Sequence, residues 1–172
     1  MQLLTFSIAN RRYGIDTCRV VELLPLVAAR PLPRQPAEVL GLIRHRGRFL
    51  PAIDLGQLIA GTACRDRLGT RTIVVRLAAD GDAGDPPMLA LVAEDVIGIT
   101  SAAGDSPSLP PGDSPFGPVV ELAEGQGPKA IAQLINVDAA LPPAQLQALL
   151  GLAGMAVGSP DAADSGTGTP PA

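Results

Sequence analysis

Aromatic side chains are nearly absent from this sequence, which has no Trp, one Tyr and three Phe in 172 residues. Its core must therefore be built from Leu, Val, Ile and Ala, and its surface has few rings on which nucleobases could stack. Cysteine and histidine are equally scarce. Cys18 and Cys64 are 46 positions apart with no CxxC pair, and His45 is the sole histidine, so a disulfide framework and a zinc site are both poorly supported. There is no GxxxxGK[ST] or GxGxxG run, hence no visible cradle for a nucleotide. No apolar stretch reaches the length of a membrane span, and the opening MQLLTFSIANRRYG places its short apolar run before any positive charge, unlike an export signal. These absences predict a soluble, cytoplasmic protein in a reducing compartment, with no metal, no cofactor and no insertion into the membrane.

Hydrophobic residues make up 47% of the chain, enough for about one domain that buries roughly two-thirds of its unfolded surface. The net charge of −4 hides an asymmetry. Residues 1–76 carry 12 of the 13 Lys and Arg against 5 acids, giving +7, while the remainder carries 1 against 12, giving −11. The two halves face partners, or each other, with opposite sign.

Periodicity alternates rather than winds. In LLTFSIA, Leu4, Phe6 and Ile8 fall on one face, and ANRR then turns the chain into YGI, which predicts a hairpin. VLGLI and RFLPAI flank RHRG, where Gly47 suits the positive φ of a second tight turn. Pro51 cannot donate to a ladder, so its strand should be an edge strand or be bulged there. In DLGQLIAG, Asp54 can cap one or two helical turns that end at Gly61. TRTIVVRL and MLALVAEDVIGIT come next as strands around an acidic loop, AADGDAGDPP. Residues 101–118 hold too much Pro, Gly and Ser for an element, PVVELA and KAIAQLINV close the sheet, and PPAQLQALLGLAG forms a short terminal helix. About eight short strands with small helical pieces indicate small β-barrels or a sandwich. One unit spans residues 1–152, and residues 153–172 are a disordered tail, because the residues after Met155 cannot bury anything.

Catalysis lacks an inventory. Cys18, His45 and Asp54 could supply a nucleophile, a base and an orienting acid, but the apolar neighbours of Cys18 predict burial and no Gly-rich elbow accompanies it. Asp54 with Glu22 could do acid/base work, yet a helix cap and a strand-borne ion pair account for both more simply. RHRGR suggests nucleic acid, but Phe49 is the sole aromatic beside it and the net charge is acidic. His45 is read as a turn residue on a solvated face.

LLTFSIANRRYGIDTCRVVELLPL followed by PLPRQPAEVLGLIRHRGRFLPAIDL resembles the CheW-type coupling proteins of bacterial chemosensory arrays, through the joint spacing of Tyr13, Val20, Glu22, Pro33, Gly41, Arg46, Gly47, Pro51, Asp54 and Leu55. The likeness runs over about residues 2–150. CRVVELLPL and RHRGRFLPAIDL are most similar to the WspB-like adaptors of surface-sensing pathways that end in a diguanylate cyclase. Arg44 stands where the family usually has Asn, and Glu94 where Asp is common. The resemblance implies a mainly β fold of two intertwined five-stranded SH3-like β-barrels with short helical segments. It implies a non-catalytic adaptor bridging the cytoplasmic tip of a methyl-accepting chemoreceptor to the regulatory domain of a CheA-type histidine kinase, with receptor-binding residues Val20, Glu22, Gly41, Arg46 and Gly47. Glu22 and Arg46 should pair, Val20 should give an apolar contact, and Arg44, His45 and Arg48 should point to solvent. The kinase-binding residues are left unassigned. The alternatives are a structural array subunit that transmits no signal and a small RNA-binding β-barrel.

Overall fold

The structure is a computed structural model and describes residues 1–78, 85–104, 114–123 and 131–156. Ten strands form two five-stranded sheets. The chain starts in the first with β1 (Gln2–Ile8) and β2 (Arg11–Asp16) and crosses through a 3₁₀ turn at Thr17–Arg19. The second sheet then receives β3 (Val20–Pro25), β4 (Val39–His45), β5 (Arg48–Asp54), β6 (Arg71–Arg76) and β7 (Met88–Ala93), with α1 (Leu55–Ala60) after β5. The chain returns to the first sheet for β8 (Gly98–Ser101), β9 (Phe116–Glu121) and β10 (Ile131–Ile135), and ends in α2 (Pro143–Met155). Strand order is β8-β1-β2-β10-β9 in one sheet and β3-β6-β7-β5-β4 in the other. Backbone bridges Ala102↔Leu122 and Arg30↔Leu42 bring the open edges together, so each sheet curls toward a barrel. This is the intertwined pair of barrels that the sequence implied.

Both hairpin turns follow from backbone chemistry. Ala9 and Asn10 have φ of 49° and 60°, and Arg46 and Gly47 have 48° and 79°; two successive positive values match the twist of the flanking strands, as in type I′ turns. Asp54 caps α1 by accepting from the Gln57 N–H, and Gly61 ends it in the left-handed conformation at φ 66°.

Three apolar clusters divide the interior. Leu3, Val120, Leu122, Ala132 and Leu134 fill the first barrel, and Ile43, Leu50, Ala52, Val74 and Ala90 fill the second. A larger cluster lies between them, with Leu4, Phe6, Tyr13 and Ile15 of the first sheet against Ile53, Ile73, Val75, Leu89 and Leu91 of the second. Phe6 and Tyr13 stack within it, their centroids 5.9 Å apart. Half the aromatic residues of the chain are thus buried where no nucleobase reaches them.

Several expectations change. Pro51 is on neither an edge strand nor a bulge: β5 lies between β7 and β4, and the irregularity falls on β4 between Val39 and Gly41. Its missing N–H is tolerated because Pro51 opposes Leu42, whose own backbone groups turn away to Arg30, and the parallel ladder to β7 begins only at Ala52. Phe116, Gly117 and Pro118, assigned to a loop, begin β9. The helix runs to Met155 with Ala153 buried, so Ala153, Gly154 and Met155 are not tail. Most of the acidic loop and residues 157–172 lie outside the described residues.

Gly41 is fixed by space. A Cβ there would stand 1.9 Å from the Arg30 carbonyl oxygen, and its φ is +126°. Gly41→Ala should therefore cost about 3 kcal/mol or more in chemical denaturation, whereas Gly47→Ala, with positive φ but open space, should cost only about 1 kcal/mol.

Candidate functional site

Glu22, His45 and Arg46 meet at one end of the second barrel. β3 and β4 supply them from opposite sides of the seam, and the β4–β5 turn holds Arg46. Glu22 pairs in register with Val74 and His45 follows Ile43 by two residues, which aims both side chains along the inward face of that barrel. His45 Nε2 is 2.8 Å from Glu22 Oε2, and Arg46 Nη2 is 2.9 Å from the same oxygen. The side chains are 6% exposed for His45, 31% for Glu22 and 72% for Arg46, so the cluster grades from core to solvent. His45 is therefore not the solvated turn residue read from the sequence. Flanked by arginines, it looks exposed, but it closes β4 on the inward parity, and only the fold puts a carboxylate above it.

The His45 hydrogen bond, followed by the Arg46 charge, holds the Glu22 carboxyl below its usual range against a partial desolvation that opposes the shift. Glu22 and Arg46 pair as expected. Gly47 completes the turn and has open space around its Cα. The other two site residues stand apart. A bulge between Val20 and Glu22 sends Val20 onto the cluster between the barrels, where it is half-buried, and Gly41 is buried at the far end of β4 against Arg30 and Pro31. Gly41 thus shapes the strand that carries the hairpin and offers no surface of its own. Arg44 and Arg48 are exposed, Arg48 pairing with Asp85 at 2.9 Å.

The nucleophilic arrangement is not assembled. Cys18 is exposed, against the burial read from its neighbours, because it sits on the 3₁₀ turn that crosses between the sheets. The Asp54 carboxylate accepts from the backbone N–H groups of Gln57 and Cys64. His45 is committed to Glu22. Among the described residues no hydrogen bond joins any two of Cys18, His45 and Asp54, and no group of three His, Cys, Asp or Glu side chains is placed to hold a metal ion. No helix among them is long and apolar enough to cross a membrane.

One tie was missed. Arg19, at the first crossing, pairs with Asp138, and its Nε–H donates to the Arg76 carbonyl at 3.0 Å; Asp138 also accepts from the Ala78 N–H at 2.7 Å. These two residues join the crossover, the end of β6 and the segment before α2. The opposite charge of the two halves was the only signal for it in the sequence.

Comparisons with known proteins agree with this architecture. The description of the CheW-like domain family matches residues 2–145. FrzA of Myxococcus xanthus is 28% identical, the match covering 60% of this chain and 76% of that protein. The chemotaxis protein CheW of Treponema pallidum (strain Nichols) is 39% identical over 54 residues, covering 31% of this chain and 32% of the relative. The crystal structure of the scaffolding protein TtCheW from Thermoanaerobacter tengcongensis superposes with a TM-score of 0.63 at 20% identity, covering 81% of this chain and 86% of that one.

Two measurements check the site. Glu22 has a depressed folded pKa, so its stabilisation is full above the unfolded value of about 4.3 and is lost as pH falls through the lower folded value. Wild type should exceed Glu22→Gln in denaturation midpoint near neutrality, and the gap should close as the pH drops below that unfolded value. Thiol labelling of the native protein should modify Cys18 and leave Cys64, whose thiol burial pushes up to about 12.

Proposed function

Because the chain belongs to the CheW-like domain family, a family of non-catalytic chemotaxis scaffold and coupling proteins, we propose that it couples a methyl-accepting chemoreceptor to a CheA-type histidine kinase, docking the receptor tip through the β4–β5 hairpin. The observation that carries the hairpin assignment is the placement of Arg46. A guanidinium on a tight turn, 72% exposed and steadied by Glu22 at 2.9 Å, is a charged group held in a fixed place yet open to a partner. An adaptor needs such a point on a rigid frame, separate from its second contact.

The roles divide accordingly. Arg46 meets the receptor and Glu22 orients it. Gly47 permits the turn, and Gly41 keeps β4 close to the Arg30–Pro31 segment so that the hairpin leaves the barrel in one direction. Val20 acts from the cluster between the barrels, at the edge of the crossing, with a half-buried face available to an apolar side chain of the receptor. The kinase regulatory domain binds elsewhere on the barrels. In this role the protein works in the cytoplasm at receptor arrays, and the likeness of its motifs to WspB-like adaptors favours a surface-sensing pathway.

The test measures two affinities, one for a receptor cytoplasmic-tip fragment and one for the kinase regulatory domain, with the fold of each variant checked by circular dichroism. Arg46→Glu should weaken the receptor complex by about tenfold or more and leave the kinase complex unchanged. Equal losses for both partners would show that the two surfaces are one. Unchanged receptor binding would return the hairpin to a purely structural part.

A further inference from the structure

Consecutive residues of a strand put their side chains on opposite faces, yet His45 and Arg46 reach the same atom. His45 Nε2 is 2.8 Å and Arg46 Nη2 2.9 Å from Glu22 Oε2. The turn accounts for this: Arg46 has a positive φ of 48°, which ends the pleat of β4 and brings its side chain back over the seam. The two donors differ in what holds them. The His45 side chain is 6% exposed and ends the inward row of β4 behind Ile43, in the barrel lined by Leu50, Ala52, Val74 and Ala90. A ring with two side-chain torsions has little freedom left in such packing. Arg46, in contrast, is 72% exposed on the turn. A carboxylate only accepts, so both groups donate, and the firmly held donor is the imidazole. Its hydrogen bond is also the largest of the causes that keep Glu22 in its charged form, ahead of the Arg46 charge.

We propose that His45 is a positioning residue of the docking site: it fixes the Glu22 carboxylate in one place and, through that carboxylate, fixes the Arg46 guanidinium for the receptor. The proposal rests on the assignment of the hairpin as the receptor contact. An ion pair as exposed as Glu22–Arg46 has little strength of its own, because two long side chains must give up rotamers to hold it in water. His45 changes that balance. Once Glu22 is bonded across the seam to a buried ring, its rotamer is chosen during folding, and Arg46 closes onto an acceptor already in place. The receptor then meets an ordered guanidinium and does not have to order one. Removing the ring strands no charge, since the Glu22 side chain is 31% exposed and water can take the vacated bond. The space that the ring leaves is walled by aliphatic side chains, so a leucine of similar volume suits it and the fold should hold. Stability and docking should therefore separate at this one residue.

Side-chain order in the free protein tests the positioning without a partner. By nuclear magnetic resonance, the order parameter of the Arg46 Nε–H bond, assigned by its loss in Arg46→Lys, should fall in His45→Leu to the level of Glu22→Ala. His45→Gln keeps a donor for Glu22 and should stay near wild type. An Arg46 side chain as ordered in His45→Leu as in wild type would overturn the proposal whatever the receptor does. His45→Met serves if the leucine variant does not fold. For the receptor cytoplasmic-tip fragment, His45→Leu should weaken binding roughly threefold to fivefold and leave affinity for the kinase regulatory domain unchanged, while His45→Gln should bind as wild type does. In an Arg46→Ala background, His45→Leu should add no further loss. A further loss there would show that His45 acts by another route, and equal losses for receptor and kinase would make it a structural residue only; either result would overturn the proposal. If Arg46→Glu itself leaves fragment binding unchanged, the hairpin assignment fails, and the order measurement alone decides whether His45 positions Arg46.

Discussion

The apolar cluster between the two sheets is the constraint on which the rest of the structure depends. β1 and β2 cannot complete their barrel alone, because β2 must pair in parallel with β10, with Gln133 opposite Tyr13. All five strands of the second sheet are made between those two partners in the chain. The residues that cover the outer face of β1 and β2 are the ones that cover the second barrel, so neither barrel has a finished surface without the other. Such an arrangement depends on contacts distant in sequence and has no boundary at which it could be cut into two domains. It also explains why a chain with so few aromatic residues holds together: Phe6 and Tyr13 are stacked in the middle of that cluster, and the close packing of branched aliphatic chains around them supplies the remainder.

A rigid frame of this kind leaves its charged groups to act at the ends of strands. At the end of the second barrel the inward parity of β3 and β4 brings a carboxylate and an imidazole to the limit of the aliphatic core. His45, buried, could not sit there alone without the cost of an unpaired buried polar group. Their pairing closes the seam with side chains beyond the Arg30↔Leu42 bridge, which closes it with backbone. Arg46 then takes a positive φ of 48°, uncommon for a long side chain, and is steadied by the same carboxylate. The turn's backbone is set locally, and the place of its exposed charge by one residue on another strand.

Local rules were legible in the sequence because each rests on neighbours. The alternation in LLTFSIA, the cap at Asp54, the stop at Gly61 and the turn at Gly47 involve groups within a few residues of one another, and all are found as read. What escaped depends on closure. Pro51 was assigned to an edge because nothing in its own strand shows that β7 will lie beside it, or that the ladder to β7 starts one residue later. Cys18 was taken as buried from its apolar neighbours, yet the chain crosses between barrels there and turns its side chain out. His45 was placed in solvent among arginines, and only the return of β3 across the seam buries it. Three of the five expected site residues gather at the hairpin, while Val20 on β3 packs on the cluster between the barrels and Gly41 on β4 lies against Arg30 and Pro31.

The charge asymmetry has the same geometric answer. Of the ion pairs among the described residues, Arg19–Asp138, Arg48–Asp85 and Arg65–Glu94 each join the basic first half of the sequence to the acidic second half. Arg19–Asp138 ties the first crossing to the segment before α2, while Arg48–Asp85 and Arg65–Glu94 tie parts of the second barrel to one another. Glu22 differs, since both its partners, His45 and Arg46, belong to its own basic half. Arg46, 72% exposed, is thereby held on a projecting turn rather than against the frame. At the hairpin an acid of the second half meets Arg48 and one of the first half meets Arg46, and both arginines stay mostly exposed, at 60% and 72%, where an acidic partner can reach them.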